Sequence, residues 1–160
     1  MLERQYPVVV EGFGYVPDTE GAGKYRGALA VYRQWRFLQD AFAIVRRHQS
    51  VDAPGLNGGS PGKAGRAVYN PGLPDERDLP QEHHLHLHVN AGDKLYLECT
   101  PSGGHSDPFQ RDPARVLFDV IEEKVSVDGA AKRYGVVIDR VTLTVDSSAT
   151  RELRKKLLTS

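Results

Sequence analysis

The sequence predicts an α+β protein: a β-rich, sandwich- or barrel-like body over residues 1–110 and a short C-terminal helical cap over residues 111–160, one structural domain in all. Three observations carry this reading. His84-Leu-His-Leu-His-Val89 alternates with period two, the pattern of a half-buried strand. Glycine and proline, 16 and 10 in 160 residues, gather in clusters between apolar segments rather than in a repeat, which marks ordered turns and long loops. After Asp112-Pro113 the apolar residues recur at helical spacing instead.

Along the chain, Pro7-Val-Val-Val10 and Tyr15-Val16 read as strand material interrupted by Gly12 and Gly14, and residues 18–23 as a turn. Ala28 to Leu38 is β-branched and aromatic enough for a strand; Asp40 then turns the chain into a returning strand, Ala41-Phe-Ala-Ile-Val45, giving a hairpin or meander. Residues 52–82 are mostly loop, broken by a short strand at Ala67-Val-Tyr69; a loop this long needs a functional or interfacial reason, and contact with a partner is expected to order it. Asn90-Ala-Gly-Asp93 turns His84–Val89 into Lys94–Cys99. Asp112 caps a helix with Pro113 at its first position and an apolar stripe of Val116, Leu117, Val120 and Ile121. Ser126 caps a second helix that Gly135 ends in a left-handed turn. Val136-Val-Ile138 reads as a buried strand, residues 141–145 as strand or extended linker, and Thr150–Leu158 as a terminal helix with basic residues near its C-terminal end.

Basic and acidic residues balance at 21 each, so no basic excess points to nucleic acid as a partner, and near-zero charge favours docking. One cysteine, Cys99, excludes an internal disulfide framework and is expected to be a small packing residue. The chain shows no leader-like segment and no apolar run near the ~20 residues a bilayer span requires, so the expectation is a cytoplasmic protein without a membrane partner.

Several clusters invite a chemical reading. His84, His86 and His88 share one face of their strand, preceded by His83, and imidazoles so placed suit zinc; the competing reading is an outward polar face. Gly58 and Gly59, with Lys63 and Arg66, form a loop that can cradle an anion but lacks the spacing of a phosphate-binding P-loop, so an ordered interface loop is the plainer expectation. Gly103, Gly104, His105 and Asp107 form a second candidate interface or ligand loop; Ser, His and Asp adjacent in sequence do not make a catalytic triad. Glu122-Glu123 reads as a solvated helix face. Tyr25, Tyr32, Trp35 and Phe37 supply either an exposed aromatic surface or core. No catalytic residue is expected on this chain.

Five segments in order carry a family resemblance: Tyr6-Pro-Val-Val-Val-Glu11 with Gly21-Ala-Gly-Lys-Tyr-Arg-Gly27; Gly55 to Arg66; Asn70-Pro-Gly72; Ala91-Gly-Asp-Lys-Leu95; and Ser102 to Pro113 continuing through Val125 to Ile138. Together they resemble the C-terminal end of the hydantoinase B / 5-oxoprolinase family. His105 and Ser106 stand where that family is richer in glycine, and the long N-terminal portion of typical members has no counterpart here. The resemblance implies a terminal domain acting as a small subunit, a split similar to that of the acetophenone carboxylases. It further implies larger hydantoinase A-like and hydantoinase B-like partners. ATP, a divalent metal and bicarbonate would then be used by the complex, with no cofactor on this chain, and the substrate would be an aromatic ketone of the acetophenone type. An ATP-dependent hydantoinase- or oxoprolinase-type amide hydrolase is the alternative from the same resemblance. A free-standing metal-binding module using the histidine strand is the alternative from the residues.

Overall fold

The computed structural model describes residues 2–46, 52–81 and 84–159. It is an α+β structure. A four-residue helix α1 (Leu2–Gln5) precedes strands β1 (Val8–Val16), β2 (Ala30–Phe37), β3 (Ala41–Arg46), β4 (Ala67–Tyr69), β5 (Arg77–Asp78), β6 (His84–Val89) and β7 (Lys94–Glu98). Helices α2 (Pro113–Ile121), α3 (Val127–Tyr134) and α4 (Ser147–Leu158) follow. The chain folds into two compact units, each assembled from separated segments.

The first unit comprises residues 1–15, 30–52 and 64–100. Its strands form a five-stranded sheet in the order β1-β2-β7-β4-β5 and a two-stranded sheet of β3 and β6. The pairs β2–β7, β4–β7, β4–β5 and β3–β6 are antiparallel. Both sheets share one apolar core that includes Phe37, Tyr69 and Leu95 from the larger and Val45, Leu87 and Val89 from the smaller. The arrangement is sandwich-like rather than a closed barrel.

Two expectations change here. The segments β2 and β3 do not form a hairpin with each other, and neither do β6 and β7. Instead β2 pairs with β7 (Arg36 opposite Lys94) and β3 with β6 (Ala41 opposite Val89). Together they make one long antiparallel ribbon that bends at residues 38–40 and 90–93 from one sheet into the other. Hydrogen bonds hold the bend: Phe37 N–H to Asp93 O at 2.8 Å, Gly92 N–H to Phe37 O at 2.9 Å, and Ala91 N–H to the Asp40 carboxylate at 2.9 Å. Alternation along a strand is the same in a hairpin and in a bent ribbon, so the local pattern does not choose between them. The bend is braced by Asp93, whose carboxylate accepts from Tyr69 Oη, Asn90 N and Asn70 Nδ2. Burial opposes ionisation of Asp93, yet these donors outweigh it and hold its carboxyl below the usual range.

The second change is that β1 runs unbroken through Gly12 and Gly14. The Tyr32 ring lies over both: a Cβ at Gly12 would sit 3.0 Å from Tyr32 Cε2, and one at Gly14 3.2 Å from Cε1. The glycines make room for an aromatic ring on an edge strand instead of ending the strand. Tyr32 in turn stacks on Tyr96 with ring centroids 5.5 Å apart. Trp35 and Phe37 belong to the core, while Tyr25 in the other unit is exposed.

Beside this stack Glu11 accepts hydrogen bonds from Gln34 Nε2 at 3.0 Å and Arg36 Nε at 2.8 Å and meets Lys94 Nζ at 3.1 Å. The Gln34, Arg36 and Lys94 donors push its carboxyl from 4.5 down to about 2. A depressed carboxylate contributes stability that is complete above its unfolded pKa and disappears as pH falls through its folded value. Unfolding free energy should therefore drop between about pH 4.5 and 2, with a shallower drop in Glu11→Gln; equal acid slopes in denaturant titrations of the two proteins would contradict this role.

The second unit comprises residues 16–29, 53–63 and 101–160. Its helices start and stop as their residues demand. Asp112 Oδ1 accepts from Ala114 N at 3.0 Å with Pro113 at the first helical position, and Ser126 Oγ accepts from Gly129 N at 2.8 Å. Gly135 closes α3 at φ 62°. The Asp146 carboxylate accepts from Ser148 N and Ala149 N, so α4 begins at Ser147, a turn ahead of the Thr150 start expected from the sequence. The core consists of Ala22, Val116, Val125, Ala130, Tyr134, Val136 and Ile138. Burying side chains of this size contributes roughly 1.5–3 kcal/mol each for the larger ones.

Three details differ from expectation. Ile121 is exposed, leaving Val116, Leu117 and Val120 as the buried stripe of α2. Val136–Ile138 is buried but is not a sheet strand; Ile138 makes only an isolated bridge to Val145 around a turn in which the Asp139 carboxylate accepts from Val141 N and Thr142 N. Cys99, in the first unit, is exposed rather than packed. Among the described residues no helix is long and apolar enough to cross a membrane.

Candidate functional site

The second unit brings together the glycine-bearing segments 20–27, 53–62 and 101–106, which run side by side without regular secondary structure. They are joined through main-chain hydrogen bonds: Gly21 N–H to Ser102 O at 2.9 Å, Ser60 N–H to Ala22 O at 2.7 Å, Gly104 N–H to Ser60 O at 2.9 Å, and Leu56 N–H to Gly104 O at 2.9 Å. Tyr25 and His105 exchange both of theirs. The backbones approach so closely that a Cβ on Gly104 would overlap the main chain of Ala22, and one on Gly59 the main chain of Gly104.

This places the candidate residues. Gly59, Gly103 and Gly104 are packing elements of the three segments, and Gly58 (φ 89°) sits at the tip between Asn57 and Gly59. His105 is exposed at the same tip. Its Nε2 lies 3.0 Å from Asn57 Nδ2 and its Nδ1 2.9 Å from Ser106 Oγ. Both ring nitrogens are thus within hydrogen-bond reach of neighbouring side chains. Asp107 accepts from Phe109 N at 2.8 Å and caps the short 3-10 turn over Pro108–Gln110. Lys63 contributes its main-chain N–H to Thr19 O at 3.1 Å and leaves its side chain exposed. Arg66 belongs to the first unit and faces Asp78 at 3.4 Å, an exposed ion pair of little energetic weight.

His84, His86 and His88 point outward from β6, opposite Arg46, Ile44 and Phe42. His88 meets the Phe42 ring edge-on at 5.0 Å. Among the described residues no three His, Cys, Asp or Glu side chains gather closely enough to hold a metal ion; His83 lies outside the described residues.

The unit's strongest electrostatics lie outside the clusters that the sequence reading named as candidates. The Glu20 carboxylate, with a side chain 0% exposed, accepts from Arg133 Nη1 and Tyr134 Oη, both at 2.8 Å. The Arg133 guanidinium also donates to Glu20 O. Burial, then the neighbouring Glu20 charge, pushes the Tyr134 phenol far above its ordinary value, so it remains a donor throughout the accessible pH range. Beside it, Asp119 receives Arg111 Nη2 at 2.8 Å on one oxygen and Arg26 Nε at 3.0 Å on the other. Arg111 Nη1 donates to Lys24 O at 3.0 Å. Arg154 of α4 closes the set by donating to the carbonyls of Tyr134 and Arg111 at 3.2 and 2.7 Å. Two acids and four arginines thus tie the glycine segment 20–27 to α2, α3 and α4. The available signal was an acid at position 119 inside the apolar stripe of α2, where a solvated residue does not belong.

The arrangement suits holding polypeptide in place. The acids and arginines of this cluster bond one another or main-chain carbonyls, and the two nitrogens of the exposed histidine face neighbouring side chains.

Comparison with known proteins places this chain among others of the same build. The Hydantoinase B/oxoprolinase family profile matches residues 1–108, more than half of the chain. The beta subunit of the caprolactamase of Pseudomonas jessenii is 30% identical over 150 residues, covering 87% of this chain and 25% of that protein. The crystal structure of that ATP-dependent caprolactamase superposes with a TM-score of 0.77 at 29% identity, over 96% of this chain and 27% of the other. A D-/L-hydantoinase B-type polypeptide from a Pseudomonas species (strain NS671) is 27% identical over 155 residues, 96% of this chain and 26% of that one. A nucleotide-free acetone carboxylase structure shares the fold, with a TM-score of 0.73 at 22% identity over 96% of this chain and 25% of the other. The chain spans about a quarter of the length of these curated relatives.

Proposed function

Since the chain belongs to the hydantoinase B/oxoprolinase family, we propose that it serves as a non-catalytic, accessory part of a cytoplasmic, ATP-dependent multi-subunit enzyme, docked to larger hydantoinase A-like and hydantoinase B-like polypeptides. The observation that carries this reading is the use of its polar residues: Glu20, Asp119, Arg111 and Arg133 tie the glycine segment 20–27 to α2 and α3, and Asp107 is spent on a cap. In this reading ATP and a divalent metal are handled by the large chains. The substrate is a cyclic amide, because the caprolactamase and the hydantoinase among the curated relatives are named for substrates of that class. Carboxylation of an aromatic ketone with bicarbonate is the second reading; the shared fold with an acetone carboxylase keeps it in view.

The test is reconstitution with the large chains of the same source. ATP consumption and product are followed with caprolactam, hydantoin or 5-oxoproline, and in parallel with acetophenone plus bicarbonate. Turnover that requires this chain, on one substrate class only, fits the proposal and selects the chemistry. Turnover by the purified chain alone would overturn it.

A further inference from the structure

The first unit carries an apolar groove of about 470 Å³ whose lining includes Leu2, Tyr6, Trp35, Phe42, Ile44 and Leu95 and contains no charged or amide side chain; His88 packs edge-on against the Phe42 ring. Phe42 is 83% exposed, Tyr6 58% and Ile44 53%. A concave apolar surface whose aromatic rings are this exposed has the form of a docking site. Two strands that border the groove are sheet edges among the described residues: β1 ends the five-stranded sheet, and β3 has β6 as its one neighbour. A two-stranded sheet is marginal by itself and gains from another strand, and an open edge offers unpaired N–H and C=O groups to an extended peptide.

Resting on the accessory-subunit reading above, we infer that this groove takes an extended apolar segment of the hydantoinase B-like large polypeptide, which adds to the β3 edge and seats its side chains against Phe42, Ile44 and Trp35. The occupant follows from three facts. The lining is uncharged, so the segment is apolar. The free edge calls for extended backbone. In the matched relatives this fold is about a quarter of one polypeptide, so about three quarters of that polypeptide is further chain covalently attached to it.

The experiment measures binding of the purified chain to the hydantoinase B-like large polypeptide of the same source by titration calorimetry, with amide hydrogen exchange on the complex. Phe42→Asp and Ile44→Lys change exposed side chains, and their melting temperatures are taken alongside to establish that they fold. The expected result is at least a tenfold weakening in each variant at unchanged melting temperature, with slowed exchange of β3 amides in the wild-type complex. Wild-type affinity in both variants, or unprotected β3 amides, would overturn the groove assignment while leaving the subunit reading intact. Absence of wild-type binding would overturn the subunit reading and this inference with it. Self-association of the chain abolished by the same substitutions would overturn the assigned occupant in favour of a second copy.

Discussion

Glu20→Ala is expected to lower the unfolding free energy by about 3 kcal/mol, the effect of removing one partner from a buried ion pair. Tyr134 Oη and Arg133 Nη1 each lose their acceptor, and Tyr134 is fully buried. The main-chain bonds of Gly21 to residue 102 and of Ala22 to residue 60 remain in the variant, so the loss is confined to the buried partners of the carboxylate. Glu20→Gln keeps a carbonyl acceptor for Tyr134 and gives up the charge facing Arg133, so it should lose roughly half as much. Urea denaturation of the three proteins decides the matter. A Glu20→Ala protein within about 1 kcal/mol of wild type, the worth of a single ordinary hydrogen bond, would mean the carboxylate is not what secures the segment.

Gly104→Ala should be at least as damaging, roughly 3 kcal/mol or more, for a steric reason. The nearest atoms to an added Cβ are the Ala22 carbonyl and the Gly21 oxygen, all main chain, so nothing can swing aside as a side-chain end would. The segments would have to part, and Gly104 N–H to Ser60 O and Leu56 N–H to Gly104 O would open with them. Gly72→Ala provides the contrast. Its φ is +76°, but nothing lies within 4 Å of a Cβ there, so the cost is the conformational one of about 1–2 kcal/mol. Thermal melts of the two variants should separate clearly. Similar melting temperatures would show that close backbone contact is not what the glycine at 104 provides.

Much of the second unit was readable along the chain because its signals are local. Asp112, Ser126 and Gly135 each act within four residues of themselves, and each sits at the helix end its chemistry favours. The exposed histidine face of β6 also follows from period two alone. The candidate loops at 58–66 and 103–107 were found through their glycines, but their role was not: Gly59 and Gly104 meet across 45 residues of sequence, and only the folded chain puts them in contact. The Glu20–Arg133–Tyr134 cluster spans more than a hundred residues and carries no spacing that a reader of the sequence can recognise.

The chain's own residue order was thus enough for the α+β class, most of the helix boundaries and the alternation of the strands, because caps, turns and periodicity are decided by near neighbours. Pairing was settled elsewhere. Whether β2 folds back on β3 or runs beside β7 depends on which apolar faces can be buried together, and a strand's alternation looks the same either way. The shared core of the two sheets resolves it, turning the apparent hairpin of β2 with β3 and the turn after β6 into one bent ribbon.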